Sequence, residues 1–312
     1  MAILNLPLGL GNPSTCKTND DINKAFPEWE SQSIFNKVGI NSRFICSSEE
    51  DSVTLALDAY QDLKGKYNNL DFDFLIYVSN SSRNQAPGDG HLFLRELGLK
   101  GNIGCIDLNL GCSGFTYGLG LAASLIDSSN CSKVLIITTD AYSKFISADD
   151  KSNMTLFGDG ATASIVSKFP LNGKGWLIND FRFGSFPDAY LDLKIVNDKM
   201  RLSKKLIMDG KKIFDFSANE VINFISGQNV DFSEFTAIFH QANTFMLDYM
   251  KRKLIIGDNN FIIGMSERGN TVSASIPYVI NDNYESLISR KLFLCGFGIG
   301  ASYSSIKLLN MK

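Results

Sequence analysis

Short apolar runs alternating with stretches of helical period predict an α/β fold. The runs, each about four to eight residues and rich in Val, Ile and Phe, have the character of buried, mostly parallel strands joined by crossover helices. The order of elements in the first half recurs in the second. Phe157-Gly158-Asp159-Gly160-Ala161, before the last strand of the first half, is matched by Phe297-Gly298-Ile299-Gly300-Ala301 before the last strand of the second. These observations predict two duplicated halves, each with one mixed sheet, packed as α/β/α/β/α layers with helices buried between the sheets.

Taken in order, the first half shows a helix near Val53 to Tyr67 and strands at Phe72 to Val78 and Ile103 to Leu108. A helix from Ser113 to Ile126 and strands at Val134 to Thr138 and Thr162 to Val166 follow. The second half shows a helix at Lys211 to Ile225, a strand at Thr236 to Phe239, a helix at Thr244 to Leu254 and a strand at Phe261 to Met265. A helix at Ser273 to Asn281 and strands at Leu292 to Cys295 and Ser302 to Leu308 complete it. Pro170, Gly173, Gly175 and Gly184 interrupt the pattern between Ser167 and Pro187, so the division is placed at 1–170 and 171–312.

Composition narrows the function. The 312 residues carry 20% charged side chains and a net charge of −3, the profile of a chain with a large core and no positive field for a phosphate backbone. A nucleic-acid partner is not expected. The weakly polar stretch around Tyr117 to Ile126 falls short of the ~20 apolar residues that cross a bilayer, and Met1 to Asn5 lacks the basic start of a secretory signal. A cytoplasmic protein is expected. Six scattered cysteines without a C-x-x-C pair are read mostly as small buried hydrophobes, Cys105 and Cys131 among them. With only His91 and His240, a multi-histidine metal centre is excluded, and no metal is expected. His91 is read as a surface or loop residue. Gly158-Asp159-Gly160 lacks the Lys and Ser/Thr of a phosphate loop and is read as a tight turn.

Three polar residues share one kind of address. Cys112 lies between a strand and a helix beginning at Ser113-Gly114-Phe115, where the helix dipole would lower a thiol's pKa from about 8.5 and free N–H groups would receive an oxyanion. His240 ends the strand at Phe239, and Asn270 precedes a small-residue helix. Each has a plainer reading: a packed core cysteine, a hydrogen-bonded structural histidine and a helix cap. Equivalent strand ends of a duplicated fold nevertheless point to one shared pocket.

Asp107-Leu-Asn-Leu-Gly-Cys112-Ser-Gly-Phe-Thr-Tyr, Leu156-Phe-Gly-Asp-Gly-Ala161, His240-Gln-Ala-Asn243, Gly269-Asn270-Thr-Val-Ser-Ala-Ser-Ile-Pro277 and Gly296-Phe-Gly-Ile-Gly300 resemble the ordered motifs of beta-ketoacyl-ACP synthase III. Thr18-Asn19-Asp20-Asp21 and Gly39-Ile40-Asn41-Ser42-Arg43 extend the resemblance over nearly the whole chain. It implies the thiolase fold and a cofactor-free acyltransferase. Cys112 would take an acyl group from a CoA or carrier thioester, with the oxyanion held by its own N–H and one in the Gly298-Ile299-Gly300 turn. His240 and Asn270 would hold the carbonyl of a malonyl thioester while CO₂ leaves and the enolate attacks the acyl-enzyme. The resemblance further implies a homodimer, a nucleotide contact by Trp29 and Lys37, substrate contacts at Gly210 and Asn243, and a carrier protein docking near Lys251, Arg252 and Lys253.

This chain also departs from the family's pattern. Ala86 to His91 is short and polar where relatives build an acyl tunnel, and Phe245 and Asp215 stand where relatives place an arginine and a lysine. Two other readings follow: acyl transfer to an alcohol or amine without decarboxylation, and a subunit that needs a second protein.

Overall fold

The computed structural model describes residues 1–84, 86–198 and 203–311. Its centre is a ten-stranded sheet. In spatial order the strands are Phe235–Phe239, Lys291–Gly298, Ser302–Asn310, Gly175–Ser185, Ile3–Asn5, Gly160–Ser167, Lys133–Asp140, Phe74–Val78 and Gly104–Leu108, with Gly9–Gly11 pairing onto Gly160–Ser167. Phe74–Val78 lies parallel between Gly104–Leu108 and Lys133–Asp140, after which the pairing turns antiparallel. The other half repeats this: Phe235–Phe239 runs parallel to Lys291–Gly298, with a parallel bridge from Ala237 to Phe261 on its outer side, before the pairing again turns antiparallel.

Side-chain alternation sorts the core into layers, because successive residues of a strand point to opposite faces. Ile76, Val78, Val134 and Ile136 face inward and meet Ile238, Leu292, Leu294 and Ile306 of the other half. Between them lie two helices, Gly114–Asp127, through Phe115, Leu119 and Ala122, and Ser275–Asp282, through Ile276, Val279 and Ile280. Leu75, Tyr77, Leu135 and Ile137 face the other way, onto Leu55, Ala59 and Leu63 of helix Ser52–Lys66. Phe239, Phe293 and Cys295 likewise cover Ile213, Ile222, Leu247 and Met250. Each fully buried aliphatic side chain contributes about 1.5–3 kcal/mol, so strands covered on both faces read as unbroken apolar runs.

Four expectations are corrected. The sheets are not separate: Ile3–Asn5 pairs with both Gly160–Ser167 and Gly175–Ser185 and joins the halves into one path. A three-residue strand is too short to show a period. The interrupted stretch from Ser167 to Pro187 holds an eleven-residue strand, Gly175–Ser185. Gly175 and Gly184 serve it by close approach, since a Cβ on either would meet Leu4 O at 2.3 Å or the Tyr303 ring at 2.4 Å. The strand predicted at Phe261 to Met265 reduces to the single bridge at Phe261. Finally, the helix at Lys211 to Ile225 is broken into Gly210–Phe216 and Ile222–Ser226 by a π turn, Ser217–Val221, where Ser217 Oγ donates to Ile213 O at 2.8 Å. The reading of the cysteines as mostly buried is corrected as well: only Cys112 and Cys295 are buried, Cys46, Cys105 and Cys131 are partly exposed because they lie near the rim of the fold, and Cys16 is exposed. Among the described residues no helix is long and apolar enough to cross a membrane.

Candidate active site

Cys112 sits in the turn between strand Gly104–Leu108 and helix Gly114–Asp127, 5% exposed. Strand Lys291–Gly298 presses against this turn. A Cβ on Gly296 would come within 2.7 Å of Ser113 Cα, and one on Gly298 within 2.7 Å of Cys112 Sγ, so only glycine permits the approach. Ser113 Oγ pairs with Ser302 Oγ at 2.7 Å and Thr116 Oγ1 with Ser304 Oγ at 2.6 Å, which fastens the helix to the second half. The backbone N–H groups of Ile299 and of Cys112 itself are directed at the sulfur.

The electrostatics correct one expectation. Burial pushes the Cys112 thiol up to about 12, with Asp140 adding to the rise and the two N–H groups only partly opposing it. The dipole of the helix does not prevail because the sulfur has lost its water.

His240 follows strand Phe235–Phe239 and is 2% exposed, its N–H donating to Cys295 O at 2.8 Å. Its Nδ1 lies 2.8 Å from Ser275 Oγ, and its ring meets Phe297 edge to face, 5.7 Å between centroids. Burial depresses its pKa to about 3, so the ring is neutral.

Asn270 is held by its backbone, its N–H donating to Leu156 O at 2.9 Å and its carbonyl accepting from Gly158 N at 3.0 Å. The Gly158-Asp159-Gly160 turn therefore positions Asn270 and needs no phosphate to explain it. Asn270 Oδ1 accepts from Val272 N at 2.9 Å, which fixes the amide's orientation and leaves Nδ2 3.4 Å from His240 Nε2.

Two residues that the sequence reading passed over hold this arrangement. Val272 adopts φ 53°, a conformation costly for a β-branched residue, while its N–H engages Asn270 and its backbone lies against the His240 ring. Asp140, fully buried at the end of strand Lys133–Asp140, accepts from Asn80 N at 2.8 Å, Ser81 Oγ at 3.3 Å, and Ser273 N and Oγ at 3.3 and 2.5 Å. Burial raises its pKa to about 7 against those hydrogen bonds. The only signal available in the sequence was a carboxylate closing an apolar strand.

The remaining candidates lie farther out. Helix Ser31–Val38, which carries the exposed Lys37, abuts Thr244 through Gly39, and Lys37 Nζ stands 6.0 Å from the half-buried Trp29 ring. Gly210 opens its helix in an exposed position. Asn243 caps helix Thr244–Lys253, its Oδ1 accepting from Met246 N at 2.8 Å, so its oxygen is already used. Lys251 pairs with Asp258, while Arg252 and Lys253 are exposed. Phe245 is 59% exposed and packs on Phe214, centroids 5.4 Å apart, with Asp215 exposed beside it.

Comparison with known proteins gives a concordant picture. Models of 3-oxoacyl-[acyl-carrier-protein] synthase III match residues 106–186, and those of its C-terminal part match 230–309. The chain is 30% identical to the beta-ketoacyl-[acyl-carrier-protein] synthase III of Clostridium botulinum strain 657 and 29% identical to that of Clostridium acetobutylicum. These alignments cover 97% and 96% of this chain, and 97% of each relative. Among solved structures, the Pseudomonas aeruginosa PAO1 3-oxoacyl-(acyl carrier protein) synthase III superposes with a TM-score of 0.89 at 25% identity, covering 100% of this chain and 98% of that one. Another 3-oxoacyl-(acyl-carrier-protein) synthase III gives 0.87 at 28%, covering 98% and 99%. With this coverage at both levels, the chain belongs to the beta-ketoacyl-[acyl-carrier-protein] synthase III family of enzymes.

Proposed function

We propose that this enzyme condenses an acyl thioester with a malonyl thioester in two stages through acylated Cys112. In the first stage the Cys112 sulfur attacks the donor carbonyl, the thioester C–S bond breaks, and the thiol proton leaves with the departing thiol. The Cys112 and Ile299 N–H groups receive the oxyanion between Gly298 and Gly300.

The second stage rests on one observation. Asn270 Nδ2 and His240 Nε2 stand 3.4 Å apart, and in the tautomer we assign, where Nδ1 accepts from Ser275 Oγ–H 2.8 Å away, both are donors. Two donors cannot satisfy each other; they suit one shared acceptor, the carbonyl oxygen of a malonyl thioester. Stabilising that oxygen as negative charge develops lets the carboxylate leave as CO₂, and the resulting enolate carbon attacks the acyl-Cys112 carbonyl and releases the sulfur. No cofactor or metal takes part in these steps.

The acyl donor is a CoA or carrier thioester, with Trp29 and Lys37 toward its nucleotide end, Gly210 and Asn243 as further substrate contacts, and Arg252 and Lys253 toward a carrier protein. The functional halves are residues 1–170, with the nucleophile, and 171–312, with the donor pair. A cytoplasmic homodimer pairs through the edge strand Gly104–Leu108, whose Ile106 is 41% exposed and which, among the described residues, pairs with a strand on one side only.

The test separates the two stages. Cys112→Ala abolishes the mass gain on incubation with acyl-CoA, while His240→Ala and Asn270→Ala still acylate and lose CO₂ release from malonyl thioester by about 10²–10³-fold. Acylation of the Cys112→Ala chain, or acyl transfer to an alcohol or amine with no CO₂ released, contradicts the assignment.

A further inference from the structure

The sequence contains no metal-binding spacing, yet the fold brings three different ligand types together away from the active site. Cys105 and Asp107 are alternate residues of the edge strand Gly104–Leu108, so both side chains leave the same face. His91 stands in the first turn of the eight-residue helix Asp89–Glu96. The ligand atoms of His91, Cys105 and Asp107 all lie within 4.8 Å of one another, with His91 exposed and the other two partly buried.

The local backbone makes this juxtaposition possible. A Cβ on Gly90 would lie 2.7 Å from Cys105 Sγ and 3.1 Å from Asp107 Oδ2, and one on Gly88 within 2.5 Å of both Asp107 oxygens. Glycine at both positions lets the sulfur and the carboxylate lean over the start of the helix that presents His91. Gly90 N donates to Asp107 Oδ1 at 2.8 Å, which orients the carboxylate and leaves Oδ2 beside the sulfur. Asp89 interacts electrostatically with Asp107 and with Asp51, and the guanidinium of Arg83 is paired with Asp51. The Asp89 and Asp107 carboxyl groups, neither of them in an ion pair with a side chain among the described residues, favour a cation between the helix and the strand.

We propose that His91, Cys105 and Asp107 bind a divalent ion of the zinc class. A nitrogen, a sulfur and a carboxylate oxygen are the donors that tetrahedral Zn²⁺ takes, at about 2.0–2.3 Å. Ligands at such bond lengths stand about 3.6 Å apart, so the three side chains close on an ion by rotamer movements of about 1 Å. The fourth position is open to water. The ion clamps the helix to the edge strand, at the seam where the proposed homodimer pairs.

The site is tested on the full chain, in the oligomeric state it adopts, by dialysis against Zn²⁺ and by titration with Co²⁺. One tightly held ion per chain is expected, with a thiolate-to-cobalt charge-transfer band. Cys105→Ser removes the band, and His91→Ala and Asp107→Asn each weaken binding by more than about tenfold. Cys16→Ser, at the exposed cysteine, leaves binding unchanged, as does Cys112→Ala, which separates this site from the condensing chemistry. His91 is exposed, so its variant folds, and circular dichroism checks the others. Absence of stoichiometric binding at micromolar ion, or binding indifferent to both Cys105→Ser and His91→Ala, overturns the proposal.

Discussion

His240 shows how little of a site's chemistry is set by residue type alone. An imidazole ordinarily titrates near 6.5, but here burial holds its pKa at about 3. The unfolded chain therefore binds the proton that the folded chain refuses. The stability contributed by the neutral ring is complete above about 6.5 and is lost as pH falls toward about 3. In an NMR titration the His240 ring signals should stay fixed from about pH 8 to about pH 5. A shift with a midpoint near 6.5 would mean that the ring is hydrated. Cys112 was recognisable from its place before a helix, whereas its raised pKa was not, because the sequence shows the dipole and hides the loss of water.

At the scale of elements, the short turn Val272–Ala274 joins the halves chemically. Val272 contacts both members of the donor pair through its backbone, and Ser273 hangs the turn on Asp140. Removing one donor from a buried carboxylate costs about 1–3 kcal/mol, and the freed turn lets Asn270 and His240 drift. Ser273→Ala should therefore slow CO₂ release on the order of tenfold or more while leaving acylation of Cys112 within about threefold. Equal loss in both stages would assign Asp140 and Ser273 to general folding alone. Strands and long helices were legible because burial on both faces writes continuous apolar runs. The turn was not, since Thr-Val-Ser-Ala reads as the start of an ordinary helix.

For the whole molecule, the surface flanking helix Thr244–Lys253 bears on partner choice. Phe245 and Asp215 carry no positive charge and Lys251 is paired with Asp258, so on the docking proposed above an acidic carrier would meet Arg252 and Lys253. Rim charges act mainly on association rate and its salt dependence. The same acceptor group should therefore give a lower kcat/KM on a generic acidic carrier protein than on CoA, with the carrier value falling as salt rises. A strong, salt-insensitive preference for the generic carrier would refute this.

The α/β class, the duplication and the places of Cys112 and His240 just after strands were legible in one dimension, because alternation, period and punctuation are local properties; the strand expected ahead of Asn270 is only the bridge at Phe261. Tertiary structure alone decided that Ile3–Asn5 bridges the halves, that Asp140 reaches across to Ser273, 133 residues away, and that His91 meets Cys105 and Asp107. Those contacts depend on which surfaces the buried layers bring face to face. The same burial, by stripping water from Cys112, His240 and Asp140, set their protonation.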